Sequence, residues 1–306
     1  METVILSNGI KMPHIGLGTY PLAGRTLSES VLCACQYGYR LIDTADNYYN
    51  EGDLGESLQT LYKKSKVVRE DLFLVSKVSD ELYHPNSIGG GANKGIYFWK
   101  NSPYMQGENA VHKVVRKKVE ESLRKLGTDY LDLYLMHWPY PDFFSEIWYE
   151  MEQLYKEGLV RSIGTCNCSI RHLEKLKKTC VLFPMVNQIE TSPINTRCDI
   201  VNYCHSNGVK VMVYSPLMSL RRKEQTYYHE YLAHLSNKYS RNKAQIVLRY
   251  DIQRGLVPIP KSSHSERLQS NISIFDFELT EDEMNRLLSF NVDFQYLPES
   301  KSCPGL

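Results

Sequence analysis

A chain of 306 residues with 42% hydrophobic and 23% charged content can bury a full core, as two ordinary domains or one large barrel. Its formal charge of +1 gives no electrostatic reason to expect nucleic acid or an anionic membrane as a partner. No apolar run reaches the length of a membrane span and Met1-Glu2-Thr3 begins no secretory signal, so a cytoplasmic protein is expected. Among the eight cysteines, Cys33/Cys35 and Cys166/Cys168 enclose a single residue each, which is neither zinc-ribbon nor thioredoxin spacing. They read as reduced thiols, and no metal is expected.

In chain order, residues 3–12 read as a hairpin turned by Ser7-Asn8-Gly9, and 14–19 as the first barrel strand. A helix over 28–37, a strand over 41–44, a helix over 54–64 and a strand over 72–76 follow. Residues 80–110 form a long irregular segment carrying Gly89-Gly90-Gly91 and many aromatics. The second half alternates helices at 111–125, 145–157, 170–178, 197–206 and 242–253 with strands at 130–136, 160–164, 185–189, 209–214 and 256–260. Two last helices lie near 265–272 and 280–289.

Eight strand signals alternating with helix signals, with no linker between halves, predict one (β/α)₈ TIM-type barrel with an N-terminal β-hairpin and a long loop after strand 3. The expectation is a single domain over 1–306, with 80–110 an inserted loop. A doubly wound sheet would want Gly-x-Gly-x-x-Gly after its first strand, but Gly16-Leu17-Gly18-Thr19-Tyr20-Pro21 ends in proline. Gly91-Ala92-Asn93-Lys94-Gly95 is no phosphate-binding Walker loop either, because its lysine precedes the glycine.

Three apolar runs each deliver ionisable groups at their ends, where such a barrel places its chemistry. Leu41-Ile42-Asp43 leads to Asp43 and then Tyr48, the run through Val75-Ser76 leads to Lys77, and the run through Leu135-Met136 leads to His137. A neighbouring ammonium is expected to lower a tyrosine's pKa of about 10, with a carboxylate keeping that ammonium charged. Tyr48 would then donate a proton, Lys77 tune it, Asp43 anchor Lys77, and His137 orient a substrate oxygen. Such a set suits protonation of an oxygen gaining negative charge, as in carbonyl reduction. Separately, Lys261-Ser262-Ser263-His264-Ser265 reads as a strand end feeding a helix start, which suits a phosphate.

The chain resembles the aldo-keto reductases over essentially its whole length. The resemblance rests on Gly16-Leu17-Gly18-Thr19-Tyr20, Leu41-Ile42-Asp43-Thr44-Ala45 with Tyr48, Ser76-Lys77, and His137-Trp138-Pro139. It continues through Val186-Asn187-Gln188, Tyr214-Ser215-Pro216-Leu217, and Ile259-Pro260-Lys261-Ser262 with Arg267 and Asn271. It implies hydride transfer between NADPH and a small-molecule carbonyl, with Tyr48 as general acid and Asp43, Lys77 and His137 completing a catalytic tetrad. It also implies that Tyr214 stacks on the nicotinamide, that Asn167 and Gln188 hold the nicotinamide amide, and that Thr19, Tyr20, Asp43, Ser215 and Leu217 line the cofactor. Lys261, Ser262 and Arg267 would surround the adenosine phosphate and Asn271 the adenine, with Tyr20 and Trp138 against the substrate. The expected assembly is a monomer or weak homo-oligomer.

Several positions depart from the family pattern. Cys166 stands where a serine usually helps hold the amide, and Ser270 replaces a usual Glu or Gln near the adenine. Thr191-Ser192-Pro193 replaces Tyr-His-Pro, and Val78-Ser79 lacks the aromatic often found just after the lysine, so the pocket wall must be built differently. The 80–110 segment is longer than the usual connection, and its Tyr83, His84, Tyr97, Phe98, Trp99, Tyr104 and Met105 make it a candidate substrate lid. Two alternatives stand beside the reductase. One is a cofactor-binding regulatory subunit resembling the potassium-channel beta subunits. The other is a lyase or hydrolase using Lys77 as a Schiff base or Asp43 and His137 as metal ligands.

Overall fold

A computed structural model of the chain describes residues 2–79, 109–140 and 143–297. Strands β1 (Thr3–Ile5) and β2 (Lys11–Pro13) pair antiparallel with Val4 opposite Met12. Gly9 closes their turn at φ +86°, its N–H donating to the Leu6 carbonyl at 2.9 Å, in a region that glycine enters without a Cβ penalty. Asn8 of the same turn donates to the Arg161 carbonyl at 3.0 Å. Arg161 precedes a barrel strand, so the hairpin covers the end of the barrel opposite the strands' C-termini.

The other strands among the described residues form one parallel sheet in sequence order. They are β3 (Gly16–Gly18), β4 (Leu41–Asp43), β5 (Phe73–Val78), β6 (Leu133–Met136), β7 (Ile163–Cys166), β8 (Val186–Glu190), β9 (Lys210–Tyr214) and β10 (Val257–Pro258). The Gly18 amide donates to the Pro260 carbonyl at 3.3 Å, which brings the last strand's end against the first and nearly closes the barrel. This seam is tight. A Cβ on Gly18 would lie 2.7 Å from the Ile259 carbonyl oxygen, and one on Gly16 would lie 3.0 Å from Ile259 Cγ2.

The strands are wrapped by α1 (Gly24–Gln36), α2 (Glu51–Lys64), α3 (Ala110–Leu126), α4 (Phe144–Lys156), α5 (Ile170–Thr179) and α6 (Cys198–Ser206). The series continues with α7 (Thr226–Tyr239), α8 (Lys243–Gln253), α9 (Ser265–Ile272) and α10 (Glu281–Leu288). Helix α3 shows why these segments are helical. Val111, Val115, Val119 and Leu123 recur at turn spacing and are buried, while Lys113, Lys117 and Glu120 between them are exposed. No helix among the described residues is long and apolar enough to cross a membrane.

The architecture matches the expected barrel and hairpin, with local differences. The third barrel strand extends through Val78, so Lys77 sits inside β5 rather than just after it. The expected strand at 160–164 is displaced to Ile163–Cys166, with only a single bridge from Leu131 to Val160 ahead of it. Helix α7 has no counterpart among the expected helices. Its aromatic and polar residues blur the helical period, yet Tyr228, Leu232 and Leu235 bury against Ile246, Val247 and Tyr250 of α8 in a second apolar cluster. Residues 80–108 of the expected lid lie outside the described residues; Asn109 caps α3 and Ala110 begins it.

Candidate active site

Strand order places four chemically active side chains around one corner of the barrel mouth. Asp43 ends β4, Lys77 lies next to the last position of β5, and His137 follows β6. Tyr48 sits on a single 3₁₀ turn, Asp46–Tyr48, directly after β4. Lys77 Nζ donates to Asp43 Oδ1 at 2.7 Å, to the Thr44 carbonyl at 2.7 Å and to Tyr48 Oη at 3.3 Å. Its three protons thus have three acceptors. From β8 across the barrel, Gln188 Nε2 donates to the other Asp43 oxygen at 2.7 Å. The His137 amide donates to the Val78 carbonyl at 3.0 Å, and His137 Nδ1 lies 2.5 Å from Ser79 Oγ. The Tyr48 ring meets the His137 ring edge-on at 5.7 Å and the Tyr20 ring at 5.0 Å, and the Trp138 ring lies nearly parallel to His137 at 6.3 Å.

Burial governs the electrostatics. Burial by itself would drive the Lys77 ammonium's pKa down, but Asp43 first and then Tyr48 outweigh it, and the group is held above the ordinary lysine value. Burial likewise pushes the Asp43 carboxyl up, opposed by Lys77 and by the Gln188 hydrogen bond. The Tyr48 phenol is pushed up to about 12 by burial, with Lys77 pulling it down less strongly. That corrects the expected lowering. Lys77 does act in the expected direction, but burial outweighs it and the Asp43 carboxylate at contact with Lys77 offsets part of its pull. His137 is driven well below the ordinary imidazole value by burial and then by Lys77, so its ring is neutral near pH 7. The arrangement therefore holds a protonated phenol against a fixed ammonium, beside a neutral imidazole. It is equipped to give a proton to an oxygen that is gaining negative charge.

A second group of expected residues gathers next to these four. Asn167 directly follows β7, in the left-handed region at φ +59°, which asparagine tolerates better than most residues. Its Nδ2 donates to the His137 carbonyl at 3.1 Å, and its Oδ1 accepts from Tyr214 Oη at 2.8 Å. Thr19 gives both its amide and its hydroxyl proton to the Asp43 carbonyl, at 3.0 and 2.9 Å. Ser215, at φ +53°, and half-buried Leu217 follow β9. Buried Cys166 ends β7, where burial pushes its thiol up and keeps it protonated.

The remaining expected residues lie at α9. Lys261 and Arg267 are exposed, and neither forms an ion pair among the described residues. Ser262 is buried, and its hydroxyl closes its own turn by accepting from the His264 amide at 3.0 Å. Asn271 is buried on α9, and Ser270 Oγ donates back to the Arg267 carbonyl at 3.1 Å.

Three residues given no role in the sequence reading hold the mouth together. Asp46 Oδ2 accepts from the Ser79 amide at 3.2 Å and from Lys118 Nζ at 2.9 Å. It ties the turn bearing Tyr48 to the end of β5 and to α3. Buried Asn50 donates to the Leu22 carbonyl at 2.9 Å and accepts from Thr44 Oγ1 at 2.7 Å, locking the loops after β3 and β4 together. Asp46 and Asn50 lie in the polar stretch around Tyr48 and were findable there. Lys118 is one of several α3 lysines, and no local signal separates it from the rest.

The family model for the Aldo/keto reductase family matches residues 14–292. The glyoxal reductase of Bacillus subtilis is 38% identical over 293 residues, covering 95% of this chain and 94% of its own. The methylglyoxal reductase DkgA of Escherichia coli is 34% identical over 288 residues, covering 93% and 92%. Among solved structures, the Bombyx mori aldo-keto reductase in complex with NADP superposes with a TM-score of 0.82 at 32% identity, over 99% of this chain and 97% of that one. The Schistosoma japonicum aldose reductase gives a TM-score of 0.83 at 30% identity, covering 99% and 96%. Barrel order, the strand-end residues and these full-length likenesses lead to one conclusion: the chain belongs to the aldo/keto reductase family.

Proposed function

We propose that this chain is an NADPH-dependent reductase of small aldehydes or ketones in which Tyr48 gives its proton to the carbonyl oxygen. The observation that carries this reading is the 3.3 Å contact of Tyr48 Oη with a buried ammonium, itself fixed by Asp43. The residues present fit the cofactor. Lys261 and Arg267 are cations without an ion-pair partner among the described residues, and they flank the start of α9, where free amides and the helix dipole favour an anion. Asn167 and Gln188 each spend one amide hydrogen on Asp43 or His137 and retain another for a carboxamide. Tyr214, Ser215 and Leu217 would line the nicotinamide end and Asn271 the adenine end.

Bound NADPH would supply the hydride. As the carbonyl oxygen gains charge, Tyr48 transfers its Oη proton, which is favourable because an alkoxide is far more basic than a phenolate. Lys77 then stabilises the tyrosinate at contact distance, so its positive charge counts most in the transition state. Asp43 and the Thr44 carbonyl hold the ammonium in place. Neutral His137 orients the carbonyl, and Tyr20 and Trp138 bound the space beside it.

Glyoxal and methylglyoxal are the first substrates to try, since the Bacillus subtilis and Escherichia coli relatives are named for them. No observation favours the regulatory-subunit alternative. The test is loss of NADPH absorbance with a panel of dicarbonyls, simple aldehydes, sugars and steroids. A chain that binds NADPH but reduces none of them would overturn the reading.

A further inference from the structure

Resting on that reading, we propose that Ser79 is a positioning residue that fixes His137 as the Nε2–H tautomer, so that this N–H donates to the carbonyl oxygen. The two residues are brought together by the strand ladder. The His137 amide donates to the Val78 carbonyl at 3.0 Å, which sets the residue after β5 beside the residue after β6. Ser79 is fully buried, and its Oγ lies 2.5 Å from His137 Nδ1. Its backbone is held as well. The Ser79 amide donates to Asp46 Oδ2, whose charge is met by Lys118 Nζ at 2.9 Å.

The direction of the bond follows from counting protons. A serine hydroxyl has one hydrogen to give. Among the described residues, the only partner of Ser79 Oγ is His137 Nδ1. If Nδ1–H were the donor, the Ser79 proton would be buried without an acceptor, which native structures avoid. The Nε2 lone pair would also then confront the carbonyl's own lone pairs. With Ser79 donating, Nδ1 accepts and the single ring proton of the neutral imidazole stays on Nε2. Burial and Lys77 both disfavour a doubly protonated ring. This chain departs from the aromatic frequent after the lysine in this family, and in its Val78-Ser79 pair it is the Ser79 hydroxyl that meets Nδ1.

The experiment is long-range ¹H–¹⁵N correlation NMR of the ¹⁵N-labelled full chain with NADP⁺ added, with His137 assigned by its loss in His137→Asn. The expected spectrum shows a bare Nδ1 and a protonated Nε2. A protonated Nδ1 overturns the proposal. Ser79→Ala should mix the tautomers and lower kcat by roughly three- to tenfold, the loss of one neutral hydrogen bond, with NADPH affinity unchanged. Ser79→Thr, which keeps the hydroxyl, should restore the single tautomer. A pure Nε2–H form with undiminished kcat in Ser79→Ala would also overturn the proposal. Should Ser79→Ala fail to fold, the wild-type and Ser79→Thr spectra still decide the tautomer. The spectrum does not depend on turnover. Nε2–H without carbonyl reduction would reject the reductase reading alone, and reduction with Nδ1–H would reject the role of Ser79 alone.

Discussion

Lys77→Met removes the charge at the centre of the site while keeping most of its volume. In the native chain the Lys77 and Asp43 side chains are 0% and 3% exposed, so water cannot replace the lost partner. Asp43 would keep only the Gln188 hydrogen bond and would stand as a buried carboxylate without a cation. Breaking a buried pair in this way costs about 3–5 kcal/mol, more than any surface ion pair is worth. The pH dependence has a definite sign. Burial already raises the Asp43 carboxyl, and losing Lys77 raises it further above its unfolded value of about 3.9. A carboxyl whose folded pKa is raised favours the fold below its unfolded pKa, and that contribution is lost as the pH climbs through the folded value. The deficit of Lys77→Met should therefore be largest near neutrality and shrink on acidification. The double variant Asp43→Asn/Lys77→Met removes both charges and should recover much of the loss. Thermal and urea unfolding of the full chain from about pH 5 to pH 8 is the assay. A single variant within about 1 kcal/mol of wild type, or a deficit that widens on acidification, would refute the buried-pair argument.

Tyr48→Phe should bind NADPH normally in a fluorescence titration while losing about 10²–10⁴-fold in turnover, the usual worth of a general acid; more than half of wild-type kcat with chemistry rate-limiting would exclude Tyr48 as donor. Arg267→Ala should weaken NADPH far more than NADH, by about 1.5–3 kcal/mol, and less so at high salt, as titration of both cofactors would show. Gly55→Ala should destabilise the fold by about 1–3 kcal/mol with kcat nearly unchanged, because the new Cβ would lie where α2 packs against α3. At that position it would meet the Lys125 carbonyl oxygen at 2.1 Å, a backbone atom that cannot swing aside.

Much of the fold was legible because its signals are local. The alternation of short apolar runs with amphipathic stretches appears in the linear chain, and a parallel barrel needs little more than that alternation in order. Helix α3 could be read from Val111, Val115, Val119 and Leu123 alone. Strand ends were less legible, because the ladder rather than the residue type decides where pairing stops. Pairing of Lys77 with Leu135 and of Val78 with Met136 carries β5 past Ser76, where the apolar run was expected to end. Helix α7 was missed because its burial depends on α8, a partner that no window of α7 contains.

The sequence by itself determined the residue types of the site and their order around the barrel. In a parallel barrel, a group at the end of each strand must arrive at the same mouth, so Asp43, Tyr48, Lys77 and His137 converge once the strands are recognised. What only the tertiary structure decided is the proton and charge state of those groups. The rise of the Tyr48 phenol to about 12 depends first on burial, which outweighs the pull of Lys77, and then on Asp43 opposing that pull. The link from Lys118 through Asp46 and Ser79 to His137 joins α3, the turn after β4 and the ends of β5 and β6. Desolvation and hydrogen-bond direction depend on atoms brought together across the chain, and no spacing along the sequence encodes them.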